Sequence, residues 1–222
     1  SNVSHELKTP LASIKAYVEM LVDGEADDEK TRRDFYEIIS AETDRLHRLI
    51  ENILNISRIE SGVVKVAREP VSLSAVVKQV LEVAAPQARQ KGIRLAERLA
   101  PVYAQVEADR DMIYQAVMNL VSNALKYTPE GGTVTVEVSA DERRNVAVCS
   151  VGDTGKGIPT DGRPHIFDKF YRVRANQKMA KGTGLGLTLV KHIVETVHDG
   201  RLSVTSEEGA GSTFSFEMPI IR

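Results

Sequence analysis

His5 stands in the opening stretch SNVSHELKTPL, where its neighbours could support chemistry. A neutral imidazole nitrogen is a good nucleophile at the pH of the cell. Glu6 follows it directly, and Thr9 falls one turn later on the same face of a helix. Pro10 lacks an N–H group and predicts a bend just beyond the histidine. These residues alone leave two interpretations open: His5 is an exposed residue of an ordinary helix, or it is a reactive side chain.

Two asparagines, Asn119 and Asn123, are four residues apart and therefore share one face of an otherwise apolar helix. Asparagine is a mediocre helix former, so its repetition there needs a reason. An amide oxygen can ligate a hard cation such as magnesium, which keeps most of its waters and binds substrate phosphates. A pair of solvated polar residues is the alternative, and the two asparagines alone do not decide between these interpretations.

Asp153, in the stretch VGDTGKGIP, ends an apolar run where an unpaired carboxylate is costly. Gly155 and Gly157 permit a tight turn and the close approach of a planar ligand. Asp153 could then accept a hydrogen bond from an amine, such as the exocyclic group of adenine. A plain turn is the alternative, because glycine patterns of this kind are common.

The stretch KGTGLGLTLVKHIV places Gly182, Gly184 and Gly186 directly before an amphipathic helix, whose free N–H groups and dipole favour anions. No GK[ST] follows the glycines, which excludes a P-loop, and a polar loop precedes them where a dinucleotide fingerprint requires a strand. The segment between Phe167 and Lys181, FDKFYRVRANQKMAK, is long, basic and without periodicity. We expect it to be a lid over a bound nucleotide.

Two helices must carry the histidine. Apolar residues recur at three- and four-residue spacing over 5–23, Gly24 ends this helix, and Asp27 or Asp28 caps a second helix that runs to about Val66. The apolar stripe of the second helix is wider than a two-stranded seam, so two helices cannot cover it. The economical solution is a four-helix bundle formed by two copies of the chain.

The chain changes character at Pro70, and the patterns beyond it predict an α+β two-layer sandwich. Helices are expected over 71–92, 109–127 and 187–197, and strands over 93–99, 103–109, 133–140, 146–153, 201–206 and 212–220. At roughly 150 residues, this segment can bury its own core.

The composition restricts the class of function. The 222 residues carry 29 basic and 31 acidic side chains, without the basic stripe of a nucleic-acid binder. The single cysteine, Cys149, excludes an internal disulfide and is predicted to be a buried strand residue rather than a nucleophile. The longest apolar run is far too short to span a membrane. Because the chain starts with a serine, we expect it to be a fragment or to lack residues at its start. The other histidines form no metal-ligand spacing and are expected at solvated positions or helix ends: His47, His165, His192 and His198.

Six motifs occur along the chain in this order: SHELKTPL, NLVSNALKYTP, DTGKGIP, FDKFYR, GTGLGL and GSTF. Their order and spacing resemble the H, N, G1, F, G2 and G3 boxes of the sensor histidine kinases of two-component systems. The resemblance implies a dimerisation and histidine phosphotransfer domain over 1–68, with a helical hairpin that forms a dimeric four-helix bundle. It implies an ATP-binding domain over 69–222, of the Bergerat type shared with gyrase, Hsp90 and MutL. One departure is the GRP of TDGRPHIF, which replaces the more usual acidic and apolar residues before the F box.

The resemblance also implies roles for the matching residues. His5 becomes the phosphorylated histidine, and Thr9 a residue of a phosphatase reaction. Glu6 becomes the general base, since it can orient the other ring nitrogen and accept its proton. Asp153 becomes the carboxylate that reads adenine, and Asn123 the magnesium ligand. The residues implied in nucleotide binding are Asn119, Asn123, Lys126, Tyr127, Asp153, Gly155, Gly157, Ile158, Phe167, Arg172, Lys181, Gly182, Thr183, Gly184, Leu185, Gly186 and Thr213.

The implied activity is ATP- and magnesium-dependent autophosphorylation of His5, followed by transfer to an aspartate of a response-regulator receiver domain. The resemblance further implies a homodimer and a cytoplasmic location as part of a membrane-anchored sensor, with no nucleic-acid partner and no membrane contact by this segment. An ATP-driven conformational machine of the gyrase or Hsp90 type is one alternative, but it needs a catalytic acid where this chain has Asn119. A degenerate scaffold without activity is another, which the intact set of His5, Glu6 and Thr9 opposes.

Overall fold

Two helices, α1 (Asn2–Val22) and α2 (Glu29–Glu60), form the first part of the chain. They confirm the two helices that apolar spacing predicts, and α2 begins at the expected cap. The Asp28 carboxylate accepts hydrogen bonds from the N–H and the hydroxyl of Thr31, at 2.8 and 2.6 Å. The computed structural model describes residues 2–99, 104–173 and 182–221.

The second helix is shorter than predicted, because it ends at Glu60 rather than near Val66. Gly62 adopts a φ of 68°, a conformation that glycine tolerates best. Across this residue, the N–H of Val63 donates to the carbonyl of Arg58 at 3.1 Å. This arrangement satisfies one of the last helical carbonyl groups and stops the helix.

The chain divides into two compact units, Ser1–Ser57 and Arg58–Arg222. In the first unit, the two helices pack against each other through the rings of Tyr17 and Phe35, whose centroids are 5.0 Å apart in an edge-to-face arrangement. Leu49 is fully buried in this unit. Within the part of the chain that the structure describes, no helix combines the length and the apolar character needed to cross a membrane.

The second unit is a two-layer arrangement of helices on a sheet. In chain order its elements are β1 (Arg68–Ser72), α3 (Leu73–Gln90), β2 (Arg94–Leu99), β3 (Gln105–Asp109), α4 (Arg110–Tyr127), β4 (Thr133–Asp141), β5 (Val146–Asp153), α5 (Gly186–Lys191), β6 (Arg201–Glu207) and β7 (Gly211–Pro219). Five strands form one sheet in the order β2-β4-β5-β7-β6, and β2 and β4 are parallel while the other neighbours are antiparallel. Alternate residues of β4, β5 and β7 are buried, so one face of the sheet packs against the helices. This confirms the predicted α+β sandwich.

The pattern of residues 68–72 does not reveal the strand that they form. β1 pairs antiparallel with β3 in a separate two-stranded sheet. Pro70 therefore lies inside a strand, and an edge strand tolerates proline because its missing N–H is not needed there. The prediction of a helix from Val71 is wrong by two residues, since α3 begins at Leu73. Ser72 caps that helix by accepting the N–H of Ala75 at 3.3 Å.

The helix predicted over 187–197 changes its hydrogen bonding midway. α5 gives way to a π-helical segment, His192–Val197, which ends at His198. Segments of this kind are rare and often occur near functional sites.

Candidate functional site

Asp153 is the last residue of β5, and backbone donors hold its half-buried carboxylate. The N–H of Gly155 donates to Oδ1 at 2.8 Å. Burial raises the pKa of Asp153, whereas hydrogen bonds from the N–H groups of Gly155 and Ser212 lower it. These donors orient the carboxylate and leave it lone pairs that can accept a hydrogen bond from a ligand.

The turn that follows Asp153 requires glycines. A Cβ at Gly155 would lie 2.5 Å from the carbonyl oxygen of Tyr127, and a Cβ at Gly157 would overlap the carbonyl oxygen of Glu207. Gly157 also has a φ of 67°. The turn therefore packs against the end of α4 on one side and against the connection between β6 and β7 on the other. The tight turn predicted from the sequence is present.

The end of this turn is held by a residue that the sequence reasoning missed. Ile158 is buried, and its N–H donates to Ser206 Oγ at 2.8 Å. Ser206 lies in β6, close to where that strand turns into β7. A polar side chain at a strand end opposite a glycine turn is the only sequence signal that could have marked it.

Helix α4 carries the two asparagines on the face where α5 begins. Asn119 and Asn123 are both half-buried. Asn119 Nδ2 has no hydrogen-bond partner among the described residues, and a Cβ at Gly186 would lie 3.8 Å from Asn119 Oδ1. A buried amide nitrogen without a partner costs free energy unless a ligand or a water meets it. This face of α4 therefore offers polar groups that suit a polar ligand.

Two cationic side chains, Lys126 and Arg172, interact with Tyr127 at the C-terminal end of α4. Lys126 Nζ lies 5.0 Å from the centroid of the Tyr127 ring, and a Cβ at Gly182 would overlap that amine. Burial raises the pKa of Tyr127, and the nearby Arg172 guanidinium lowers it. Lys126 and Arg172 thus both interact with Tyr127. Two cations beside a glycine turn suit a phosphate group.

The second glycine turn is packed against the segment that contains Phe170. The N–H of Phe170 donates to the carbonyl of Gly184 at 3.0 Å. Gly184 has a φ of 69°, and a Cβ there would lie 2.7 Å from the carbonyl carbon of Phe170. Leu185 is buried, and its N–H lies 3.4 Å from Thr183 Oγ1. Gly186 begins α5, so the free N–H groups at the start of that helix lie beside the turn.

Phe167 and Thr213 are the remaining predicted site residues that lie within the described part of the chain. The Phe167 ring contacts that of Phe214 edge-to-face, with centroids 6.3 Å apart. Thr213 pairs in register with Gly152, next to Asp153. Lys181 lies outside the described residues, as does most of the segment expected to form a lid, residues 174–181.

The phosphoacceptor candidate lies in the first unit. His5 is exposed on α1, and Thr9 Oγ1 donates to the carbonyl of His5 at 3.1 Å. Glu6 Oε2 lies 3.9 Å from Arg45 Nη2, and Arg45 Nη1 lies 3.4 Å from Glu42 Oε2. Among the described residues, no hydrogen bond joins the His5 ring to the Glu6 carboxylate. In this conformation Glu6 is paired with a cation instead.

One histidine has a structural role that the sequence reasoning missed. His198 lies at a helix end, as expected, but its side chain is buried. Its Nε2 accepts the N–H of Asp109 at 3.0 Å, and its Nδ1 lies 2.7 Å from the carbonyl oxygen of Ile193. A ring with this pair of partners is neutral, with its proton on Nδ1. Burial lowers the pKa of His198. The expectation for Cys149 is confirmed: it is fully buried, and burial raises the pKa of its thiol to about 12.

Two family models match the chain. Residues 108–222 match the histidine kinase-, DNA gyrase B- and HSP90-like ATPases, and residues 1–62 match the His Kinase A (phospho-acceptor) domain. The second unit therefore has the fold and sequence of these ATPases, and the first has those of a phospho-acceptor domain. The chain belongs to the sensor histidine kinases of two-component systems.

Several curated relatives and solved structures are similar to the chain over nearly all of its length. Sensor histidine kinase WalK of Bacillus subtilis (strain 168) is 34% identical over 220 residues, which is 99% of this chain and 36% of WalK. The histidine kinase ThkA, solved in complex with the response regulator protein TrrA, has a TM-score of 0.79 at 25% identity, over 99% of this chain and 60% of that one. Full-length ShkA, solved in complex with AMPPNP, has a TM-score of 0.73 at 29% identity, over 98% of this chain and 44% of that one. The chain spans about a third of the length of the curated relatives that it matches.

Proposed function

We propose that this chain is the catalytic core of a histidine kinase in which the γ-phosphoryl group of ATP passes to His5 and then to a response-regulator aspartate. One observation carries the proposal: the same chain contains an exposed histidine in an SHELKTPL motif and a half-buried carboxylate, Asp153, that a backbone N–H of the adjoining glycine turn holds. A phosphoryl acceptor and a nucleotide pocket are the two parts that such a reaction needs.

The second unit would bind ATP with its base at one glycine turn and its phosphates at the other. Asp153 would accept a hydrogen bond from the exocyclic amine of adenine. Lys126 and Arg172 would face the phosphates, because cations pair strongly with phosphate oxygens. The other residues assigned to this site are Asn119, Tyr127, Gly155, Gly157, Ile158, Phe167, Lys181, Gly182, Thr183, Gly184, Leu185, Gly186 and Thr213. The similarity to ShkA, which was solved in complex with AMPPNP, supports nucleotide binding at this site.

Asn123 would hold a magnesium ion, with Asn119 beside it. The half-buried amides of these residues fit a polar, hydrated ligand, as does Asn119 Nδ2, which has no hydrogen-bond partner within the described part of the chain. When bound, magnesium would neutralise charge on the phosphates. The contribution of the protein is to fix the amide oxygens on one rigid helix, so that they need not reorganise when a nucleotide arrives.

In the first unit, a neutral His5 nitrogen would attack the γ-phosphorus. The new N–P bond forms as the bond to the bridging oxygen breaks, and ADP leaves. Glu6 would take the proton from the other ring nitrogen. Because Glu6 Oε2 is paired with Arg45 at 3.9 Å, it must turn toward His5 before it can act as a base.

We assign residues 1–68 to dimerisation and phosphotransfer and residues 69–222 to ATP binding, with the boundary at the start of β1. Large apolar side chains stay exposed on the two helices of a single chain: Leu11, Val18, Val22, Ile50 and Leu54. A second copy of the chain would remove them from water and complete a four-helix bundle. The response-regulator partner is supported by ThkA, which was solved with TrrA. We place the chain in the cytoplasmic part of a membrane-anchored sensor.

The proposal is tested by following the phosphoryl group. With magnesium and ATP labelled on its γ-phosphate, the wild-type chain should acquire label that is stable in base and lost in acid, because an N–P bond hydrolyses in acid. His5→Gln should bind ATP as the wild type does and remain unlabelled. His47→Gln is the matched control, since His47 is also an exposed helical histidine. Label that persists in His5→Gln would rule out His5 as the acceptor.

We further propose that the chain removes phosphate from its regulator. Thr9 is exposed one turn beyond His5, and its hydroxyl proton is already donated to the His5 carbonyl. Its lone pairs are therefore available to hold a water molecule for attack on a docked phospho-aspartate.

A further inference from the structure

The hydroxyl of Ser206 joins two parts of the nucleotide site that are distant in the sequence. Ser206 pairs in register with Ser212 between β6 and β7. Its Oγ accepts the N–H of Ile158 at 2.8 Å, donates to the carbonyl of Gly211 at 3.0 Å, and lies 2.8 Å from Ser212 Oγ. Ile158 ends the first glycine turn, whereas Gly211 and Ser212 begin the strand beside Asp153.

These contacts use the whole hydrogen-bonding capacity of one hydroxyl. A serine hydroxyl has one donor and two acceptor positions. Because the Gly211 carbonyl can only accept, the Ser206 proton goes there, and the two lone pairs accept the N–H of Ile158 and the O–H of Ser212. The side chain is thereby fixed in one orientation. It is occupied by protein groups and can influence a ligand only through them.

Both of the segments that Ser206 joins also hold the Asp153 carboxylate. On the side of the turn, the N–H of Gly155 donates to Asp153 Oδ1 at 2.8 Å. On the side of the strand, the N–H of Ser212 donates to the same carboxylate. A change in the spacing of the two segments would therefore turn the carboxylate or separate it from one of its donors.

The glycine turn and the start of β7 also make close backbone contacts, and these contacts fix the distance between the two segments. The N–H of Gly209 donates to the carbonyl of Lys156 at 2.6 Å. A Cβ at Gly211 would overlap the carbonyl oxygen of Asp153. Ser206 contributes the side-chain link in this contact.

We propose that Ser206 is a positioning residue for adenine recognition: its hydroxyl sets the spacing between the glycine turn and the start of β7, and thereby the orientation of Asp153. The inference rests on the proposed function, in which Asp153 reads the exocyclic amine of adenine. Ser206 acts through Asp153 and has no assigned contact with the base.

The test compares the binding of ADP and IDP to the whole chain by calorimetric titration. IDP carries a carbonyl where ADP carries the exocyclic amine, so the ratio of their affinities reports recognition of that amine. Ser206→Ala removes the hydroxyl and leaves the Ile158 N–H without its acceptor. We expect its ADP affinity to fall about tenfold and its IDP affinity to change by less than about twofold. A role in general stability would lower both affinities alike.

Two variants serve as controls. Ser203→Ala removes an exposed hydroxyl of the same strand, which lies 3.4 Å from the carbonyl of Ser215, and should keep the wild-type ratio. Ser206→Thr retains a hydroxyl and should restore most of the ratio that Ser206→Ala loses.

An ADP-to-IDP ratio that is unchanged in folded Ser206→Ala overturns the inference and leaves the proposed function standing. A wild-type chain that binds neither nucleotide overturns the proposed function, and this inference with it. Should Ser206→Ala not fold, amide hydrogen exchange in the nucleotide-free wild type decides. The Ile158 amide should exchange far more slowly than that of exposed Thr160, and equal rates would overturn the inference.

Discussion

Replacing Asp153 with alanine should weaken ADP binding without unfolding the second unit. The wild-type carboxylate is half-buried and held by the N–H groups of Gly155 and Ser212, so it presents its remaining lone pairs in a fixed direction. A hydrogen bond to a charged group contributes about 1.5–3 kcal/mol. Its loss corresponds to roughly a tenfold to 150-fold weaker affinity. We expect little loss of stability, because the carboxylate is only half-buried and water can take its place at the two donors.

The assay is calorimetric titration of ADP and of IDP into the wild type and the variant, beside a melting curve for each protein. IDP lacks the exocyclic amine from which we propose that Asp153 accepts a hydrogen bond, so the affinity for IDP should change by less than about threefold. Asp161→Ala is the matched control, because it removes an exposed carboxylate from the same connection and leaves Asp153 in place. It should bind both nucleotides as the wild type does.

Two outcomes would refute this reasoning. An unchanged ADP affinity in a variant with a native melting curve would mean that Asp153 does not contact the base. An equal loss of ADP and IDP affinity would mean that Asp153 supports the shape of the pocket and not recognition of the amine.

Two further predictions concern the first unit and the fold of the second. Thr9→Ala should label His5 and pass the phosphate on, but should remove phosphate from purified phospho-regulator much more slowly than the wild type, as timed by loss of label in the presence of ADP; equal rates would leave Thr9 as a helix residue only. Because burial lowers the folded-state pKa of His198 below its ordinary value of 6.5, the folded state binds fewer protons there. The stability that neutral His198 contributes should be fully present above pH 6.5 and be lost as the pH falls below it. Urea unfolding between pH 8 and 5 measures this, and the dependence should shrink in His198→Gln.

Most of the fold could be predicted because its signals are periodic. Alternation in TVTVEVSA and VAVCSVGD places one side chain in two on the buried face, and the structure shows that alternation in β4 and β5. The end of a helix could also be predicted from a glycine that adopts a positive φ just beyond it, as Gly24 does. The strand Arg68–Ser72 could not be read, because its residues are mostly exposed and its stability comes from pairing with β3, more than thirty residues further on.

The residues that we propose face a ligand could be predicted from the sequence, whereas the residues that hold them in place could not. Glycines at special φ and a carboxylate at a strand end break the local pattern, so Asp153 and Gly157 are visible in the sequence. Glu6 shows the limit of such reading: its position beside His5 suggests a base, yet its carboxylate is paired with Arg45 from the other helix.

Ser206 and His198 show why the supporting residues are hard to recognise in the sequence. Each makes specific hydrogen bonds to backbone groups that come close only when the chain is folded: Ser206 to the N–H of Ile158, and His198 to the N–H of Asp109. A serine in a strand or a histidine after a helix is ordinary by composition, and neither repeats with a period. What distinguishes them is that a buried backbone donor would otherwise lack an acceptor. Such residues are therefore found by asking where each backbone group near a site is satisfied, a question that only a folded structure can answer.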